Sequence, residues 1–163
     1  MLKQNLFTIV GFKIVWLSCI LGELYIGSLL GFIVGMLFLF FFLILDNKKL
    51  QTFKTILYFS LIGYFFDSLL SIFGLYKINA QINFFFLPLW FLTLWPCFCC
   101  LLINVLVFLK NKKIIAVGFG AFFGPLTYYT GVSVGLAIVP NMTVFLLISF
   151  FWSFAMFIYS KFF

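Results

Sequence analysis

Six apolar runs divide the chain, at about residues 6–22, 26–45, 53–76, 84–109, 114–133 and 141–160, and most of the charged residues stand at their borders. An α-helix needs about 20 predominantly apolar residues to cross the hydrocarbon core of a bilayer, and these runs have that length. The chain of 163 residues is 66% hydrophobic and only 8% charged. A chain so short leaves much of its surface exposed, so an outer face this apolar has to meet lipid. The pattern predicts an all-α polytopic membrane protein, six transmembrane helices in one compact bundle, with a single integral membrane domain over residues 1–163.

The breaks between runs are chemically plain. Glu23 marks the first turn, Asp46-Asn47-Lys48-Lys49 the second, Lys77 to Asn83 the third, and Lys110-Asn111-Lys112-Lys113 the fourth. Pro140-Asn141 splits the final apolar stretch. Pro88 and Pro96 in the fourth run predict a late helix start or a kink, with freed carbonyls satisfied by neighbouring helices. Gly131 and Gly135 either end the fifth helix early or shape a re-entrant segment.

Six crossings place Lys3, Lys48, Lys49, Lys54, Lys110, Lys112, Lys113 and Lys161 on one side and Lys77 on the other. Lysine excess marks the cytoplasmic side, so the expected location is a bacterial inner (cytoplasmic) membrane with both termini cytoplasmic. Leu17-Ser18-Cys19 faintly resembles a lipoprotein cleavage site, but Lys13 within the run and bulky Trp16 beside the site argue for a retained first helix.

The net charge of +7 comes from lysine alone, in short clusters between apolar spans, with no arginine to build a nucleic-acid face. No nucleic-acid partner is expected. The chain also lacks histidine and has three acidic residues, which removes His-based dyads and arginine phosphate clamps and leaves no nucleophile paired with a base. No catalytic residue and no cofactor is assigned. Cys97-x-Cys99-Cys100 tempts one towards metal, but a zinc or iron–sulfur site usually draws four ligands, so these cysteines and Cys19 read as small apolar filler.

Within the spans, Ser60, Gly63, Asp67, Ser71 and Gly74 recur at helical spacing as a narrow polar stripe. Asp67, read as lying near mid-span, is the main candidate for an intramembrane site, ionised or neutral. Its structural reading is a hydrogen bond that only fixes helix packing. Lys13 is the obvious charged partner, but the expected axial offset is about 10 Å at 1.5 Å per residue, so snorkelling to the cytoplasmic surface is the expected fate of its ammonium. Thr93, Cys97, Cys100 and Asn104 form a second stripe that could face the first. The candidate polar site is Asp67, Ser60, Ser71, Lys13, Asn104 and Tyr128. Gly27, Gly31 and Gly35, and likewise Gly120 and Gly124, are expected to be packing seams.

Several residues in order and spacing carry a family resemblance: Phe12, Trp16, Cys19 and Gly22; Gly63, Asp67, Ser68, Leu69, Leu70 and Gly74; Pro88, Trp90, Trp95 and Phe98; Gly124, Pro125, Leu126, Tyr128, Gly131 and Gly135. In these the chain resembles an uncharacterised bacterial inner-membrane family known as a domain of unknown function, DUF2878. It departs from that pattern where Lys13 stands for a glutamine, Ile103-Asn104 for an Asn-His pair and Ser133 for an arginine. Family members are often encoded beside enzymes that modify membrane fatty acids, so the resemblance implies a role connected with lipid.

Two readings follow. The first is an accessory or lipid-handling protein that holds membrane lipid or another apolar substrate between the third, fourth and fifth helices, or docks a partner membrane or peripheral enzyme. The alternative is a substrate-capturing subunit of a membrane transporter; a membrane-embedded enzyme ranks third. A transport subunit should enclose a water-facing cavity around Asp67, whereas a lipid-handling protein should have a groove open sideways to the bilayer.

Overall fold

The computed structural model describes residues 2–46 and 49–162. Asn47 and Lys48, part of the second connection, lie outside the described residues. The described residues form six α-helices: α1 Leu2–Leu21, α2 Ser28–Leu45, α3 Lys49–Ile72, α4 Phe91–Asn104, α5 Lys113–Ser133 and α6 Val144–Phe162. Five of them are long and apolar enough to cross a membrane, while α4 is shorter. A π-helical turn, Gly22–Ile26, extends α1, and a 3-10 turn, Leu106–Leu109, follows α4.

The fourth run departs furthest from expectation. Instead of a helix over 84–109, two short strands, β2 Asn83–Phe84 and β3 Leu87–Pro88, pair antiparallel before α4 begins. Proline at 88 cannot donate a helical N–H, and Phe85 takes a positive φ of 54°, so the backbone turns there. The third helix ends at Ile72, four residues short of its expected end, where Gly74 at φ 65° reverses the chain. The fifth helix runs on to Ser133, and Gly135 at φ 78° follows its end, so no re-entrant segment forms.

Pro125 sits inside α5 and lacks the N–H that would bond the carbonyl of Ala121. That carbonyl instead accepts the Ser149 hydroxyl of α6 at 2.9 Å. Polar backbone atoms in lipid need such a partner, and a neighbouring helix supplies it here.

The loops gather at opposite ends. At one end, β1 Lys77–Ile78 pairs antiparallel with β4 Ala137–Ile138, joining the α3–α4 and α5–α6 connections. The α1–α2 turn is bonded to the same region through Glu23. At the other end, Asn111 donates its backbone N–H to the carbonyl of Ser160, and Asn104 bonds Thr8.

Helices α1 to α4 form one packed group and α5 packs closely on α6. Large aromatic side chains join the two. Phe66 of α3 stacks on Phe151 of α6 with centroids 3.6 Å apart, and Trp95 of α4 stacks on Trp152 at 5.2 Å. Among the described residues α5 and α1 form no closely packed interface. A space remains between them.

Candidate functional site

That space is a groove of about 510 Å³ lined by α1, α4, α5 and α6, with Asp67, Tyr76, Ile78 and Leu136 towards its loop end. Its walls are almost wholly apolar and aromatic, including Phe12, Phe98, Phe119 and Phe123, and all four tryptophans of the chain, Trp16, Trp90, Trp95 and Trp152, face it. From Phe119 to Gly131 along α5 it extends about 18 Å at 1.5 Å per residue. Leu17 and Lys13 on α1 and Phe123 and Thr127 on α5 are lining residues that are also exposed, so they mark its lateral mouth.

Asp67 is only 3% exposed and stands five residues from the end of α3, about 8 Å along the axis, closer to the loop end than to mid-span. Both carboxyl oxygens are occupied. Trp95 Nε1 donates to Oδ2 at 2.6 Å and the Tyr128 hydroxyl to Oδ1 at 2.6 Å. Tyr76 in turn donates its hydroxyl to the Tyr128 carbonyl at 2.9 Å and meets the Tyr128 ring edge-on. A carboxyl group removed from water is costly unless its lone pairs are satisfied, and these donors, from α4 and α5, satisfy it.

The glycines explain how such large rings reach one point. A Cβ on Gly63 would overlap the Trp95 indole, one on Gly124 the Trp152 indole, and one on Gly131 would lie 2.6 Å from the Tyr76 hydroxyl. Each is a seat for a ring at the groove. Gly120 meets the Trp152 carbonyl and Met156, so Gly120 and Gly124 bring α5 against α6.

Other candidates are dispersed. Ser60 contacts Cys99 Sγ, Ser71 donates to the Phe86 carbonyl at 2.8 Å, and Asn104 donates to Thr8 at 3.3 Å; none lines the groove. The first stripe faces α4, but the second does not face it in return. Thr93 packs on Gly35, and Cys97 donates to the Gly35 carbonyl, so the second stripe looks towards α2 and α1. Gly31 packs on Cys19, but Gly27 lies outside α2 at φ 146°, so the α2 seam comprises Gly31 and Gly35. Among the described residues, no group of three or more potential metal ligands comes together.

Lys13 lies eleven residues from Leu2 and eight from Leu21, about 16 Å and 12 Å along α1. With the π-helical turn to Ile26 counted, the far end is thirteen residues away, so Lys13 stands near the middle of the helical run and slightly towards its lysine-rich end. No ion pair joins it to Asp67 among the described residues, since the Asp67 oxygens are held by Trp95 and Tyr128.

Sequence reasoning passed over a second buried carboxylate. Glu23 is 6% exposed and accepts from the Ser28 hydroxyl at 2.6 Å, the Gln81 backbone N–H at 2.6 Å and Trp90 Nε1 at 2.9 Å. Ser28 Oγ also accepts the Ile82 N–H at 3.0 Å. A glutamate in a turn between two apolar runs reads as solvated. Only the return of the 81–90 segment over it reveals a buried tie. Trp95, Tyr76 and Trp152 were likewise unmarked as site residues, because an aromatic residue in an aromatic chain carries no periodic signal.

A family model described as "Protein of unknown function (DUF2878)" matches residues 5–158. No curated protein and no solved structure matches the chain.

Proposed function

The chain belongs to the DUF2878 family of proteins of unknown function, and we propose that it is a lipid-handling protein of the bacterial inner membrane that receives an acyl chain in the α1–α5 groove. The observation that carries this reading is the groove itself, long, apolar and walled by aromatic rings, with Leu17 and Thr127 exposed at its lateral mouth. A hydrated solute would lose its water on entry without recovering those hydrogen bonds, and a hydrocarbon chain loses nothing. The carboxyl oxygens of Asp67 already have donors, which favours the lipid reading over a solute-capturing transport subunit.

The proposed arrangement has six crossings with both termini cytoplasmic. Helix α4 and its 3-10 turn together extend about 29 Å at 1.5 and 2.0 Å per residue, close to the thickness of about 30 Å that a crossing requires. The loop contacts support alternating directions, and the lysine-rich end is assigned to the cytoplasm.

Native mass spectrometry of the protein extracted in mild detergent tests the function. A lipid should remain bound, and Thr127→Trp, which fills the mouth, should reduce its occupancy. Wild-type protein free of lipid and unable to take one up in reconstituted bilayers would overturn the reading.

A further inference from the structure

Among the described residues Lys13 is the lysine that stands nearest the middle of a span, and it lines the groove at its exposed mouth. Among the described residues its side chain makes no hydrogen bond or ion pair. In the proposed six-crossing arrangement either end of α1 lies farther along the axis than an extended lysine side chain reaches, so snorkelling would not bring the ammonium fully into water. An ammonium at this depth is costly unless an opposite charge meets it. Among the described residues, the other carboxyl or ammonium group facing the groove beside Lys13 is the Asp67 carboxyl, whose oxygens are held by Trp95 and Tyr128.

We propose that Lys13 selects the ligand's head: the groove takes a single-chain amphiphile whose anionic head, a carboxylate or a phosphate monoester, pairs with Lys13 while its chain lies against Phe12, Phe98 and Phe119. This rests on the acyl-chain reading of the groove. An intact bilayer phospholipid keeps its phosphate at the interface, whereas a small single-chain head can be drawn to the depth of Lys13. Coulomb attraction is stronger in these low-dielectric surroundings than in water, so the pairing adds affinity for charged heads that an uncharged head of equal chain length lacks.

The test uses full-length protein in phosphatidylcholine nanodiscs, titrated with hexadecanoate, hexadecyl phosphate and hexadecanol. Because all four tryptophans face the groove, their emission reports occupancy. Wild type should bind one or both anionic probes about tenfold more tightly than the alcohol, and the stronger of the two identifies the head. Lys13→Gln and Lys13→Met, checked for unchanged thermal stability, should bind the alcohol as wild type does and lose the preference. Equal binding of all probes by wild type, or a preference that survives both substitutions, overturns the role of Lys13 and leaves the groove reading standing. Failure of every probe to bind wild type overturns both.

Discussion

Trp95 and Tyr128 meet on one carboxyl group: from α4 and α5 they donate to the two oxygens of Asp67, each at 2.6 Å, and so tie three helices together beside the groove. The α5–α6 pair reaches the rest of the molecule through stacked aromatic rings and through directional polar ties, of which this one stands beside the groove and others are the Tyr76–Tyr128 bond and the β1–β4 pairing.

Substitution at Asp67 should separate geometry from charge. Asp67→Asn keeps an acceptor for the Trp95 N–H, and the Tyr128 hydroxyl can rotate to accept from the amide, so the protein should fold with a loss of about 1 kcal/mol. Asp67→Leu leaves two buried donors unpaired and should cost about 2–4 kcal/mol. Thermal unfolding in detergent measures both. Equal stability of the two variants would show that the hydrogen bonds add nothing to the fold, and loss of lipid occupancy in a stable Asp67→Asn protein would show that its ionisation matters.

Glu23 holds the α1–α2 turn to the segment before α4 through Ser28, Gln81 and Trp90. Glu23→Ala should cost about 2–4 kcal/mol, because several donors lose their acceptor together. Glu23→Gln should fall between, since one amide oxygen cannot replace two carboxylate oxygens. A cysteine introduced at Asn79 should become more reactive to an impermeant maleimide in Glu23→Ala. Unchanged reactivity and stability would show that the tie is not what holds this loop.

The glycine seats give a contrast within one helix. Gly124→Ala places a methyl group in the Trp152 indole and should destabilise the protein by about 1–3 kcal/mol. Gly118→Ala meets no atom within 4 Å and should be neutral, or stabilising by about 0.5–1 kcal/mol through helix propensity. If the two variants unfold at the same temperature, the close approach of α5 to Trp152 is not a packing constraint.

Orientation is open to direct measurement. Reporter fusions after Lys113 and Lys161 should read cytoplasmic and one between Lys77 and Asn83 external, because lysine bias orients short loops. A cytoplasmic reading for the Lys77–Asn83 loop would reverse the assignment, and an external reading after Lys161 would remove the even number of crossings.

The helical class, the approximate bounds of five helices and the importance of the breaks near Glu23, Lys77 and Pro140 were legible in the sequence, because bilayer thickness imposes a run length that hydropathy displays directly. The short strands before α4 were not, since Phe84 to Leu87 are as apolar as a span and only Asn83 and Pro88 at their ends hint at the turn. The polar stripe of α3 marked Asp67, but helical spacing gives a face and not a neighbour. Which residues meet Asp67 depended on contacts 28 and 61 positions apart in the chain. The groove is a property of the tertiary structure alone: α1 and α5 line it without packing closely on each other, Trp95 and Trp152 stack in its wall, and a separation between two helices set by how others pack leaves no mark on the sequence of either.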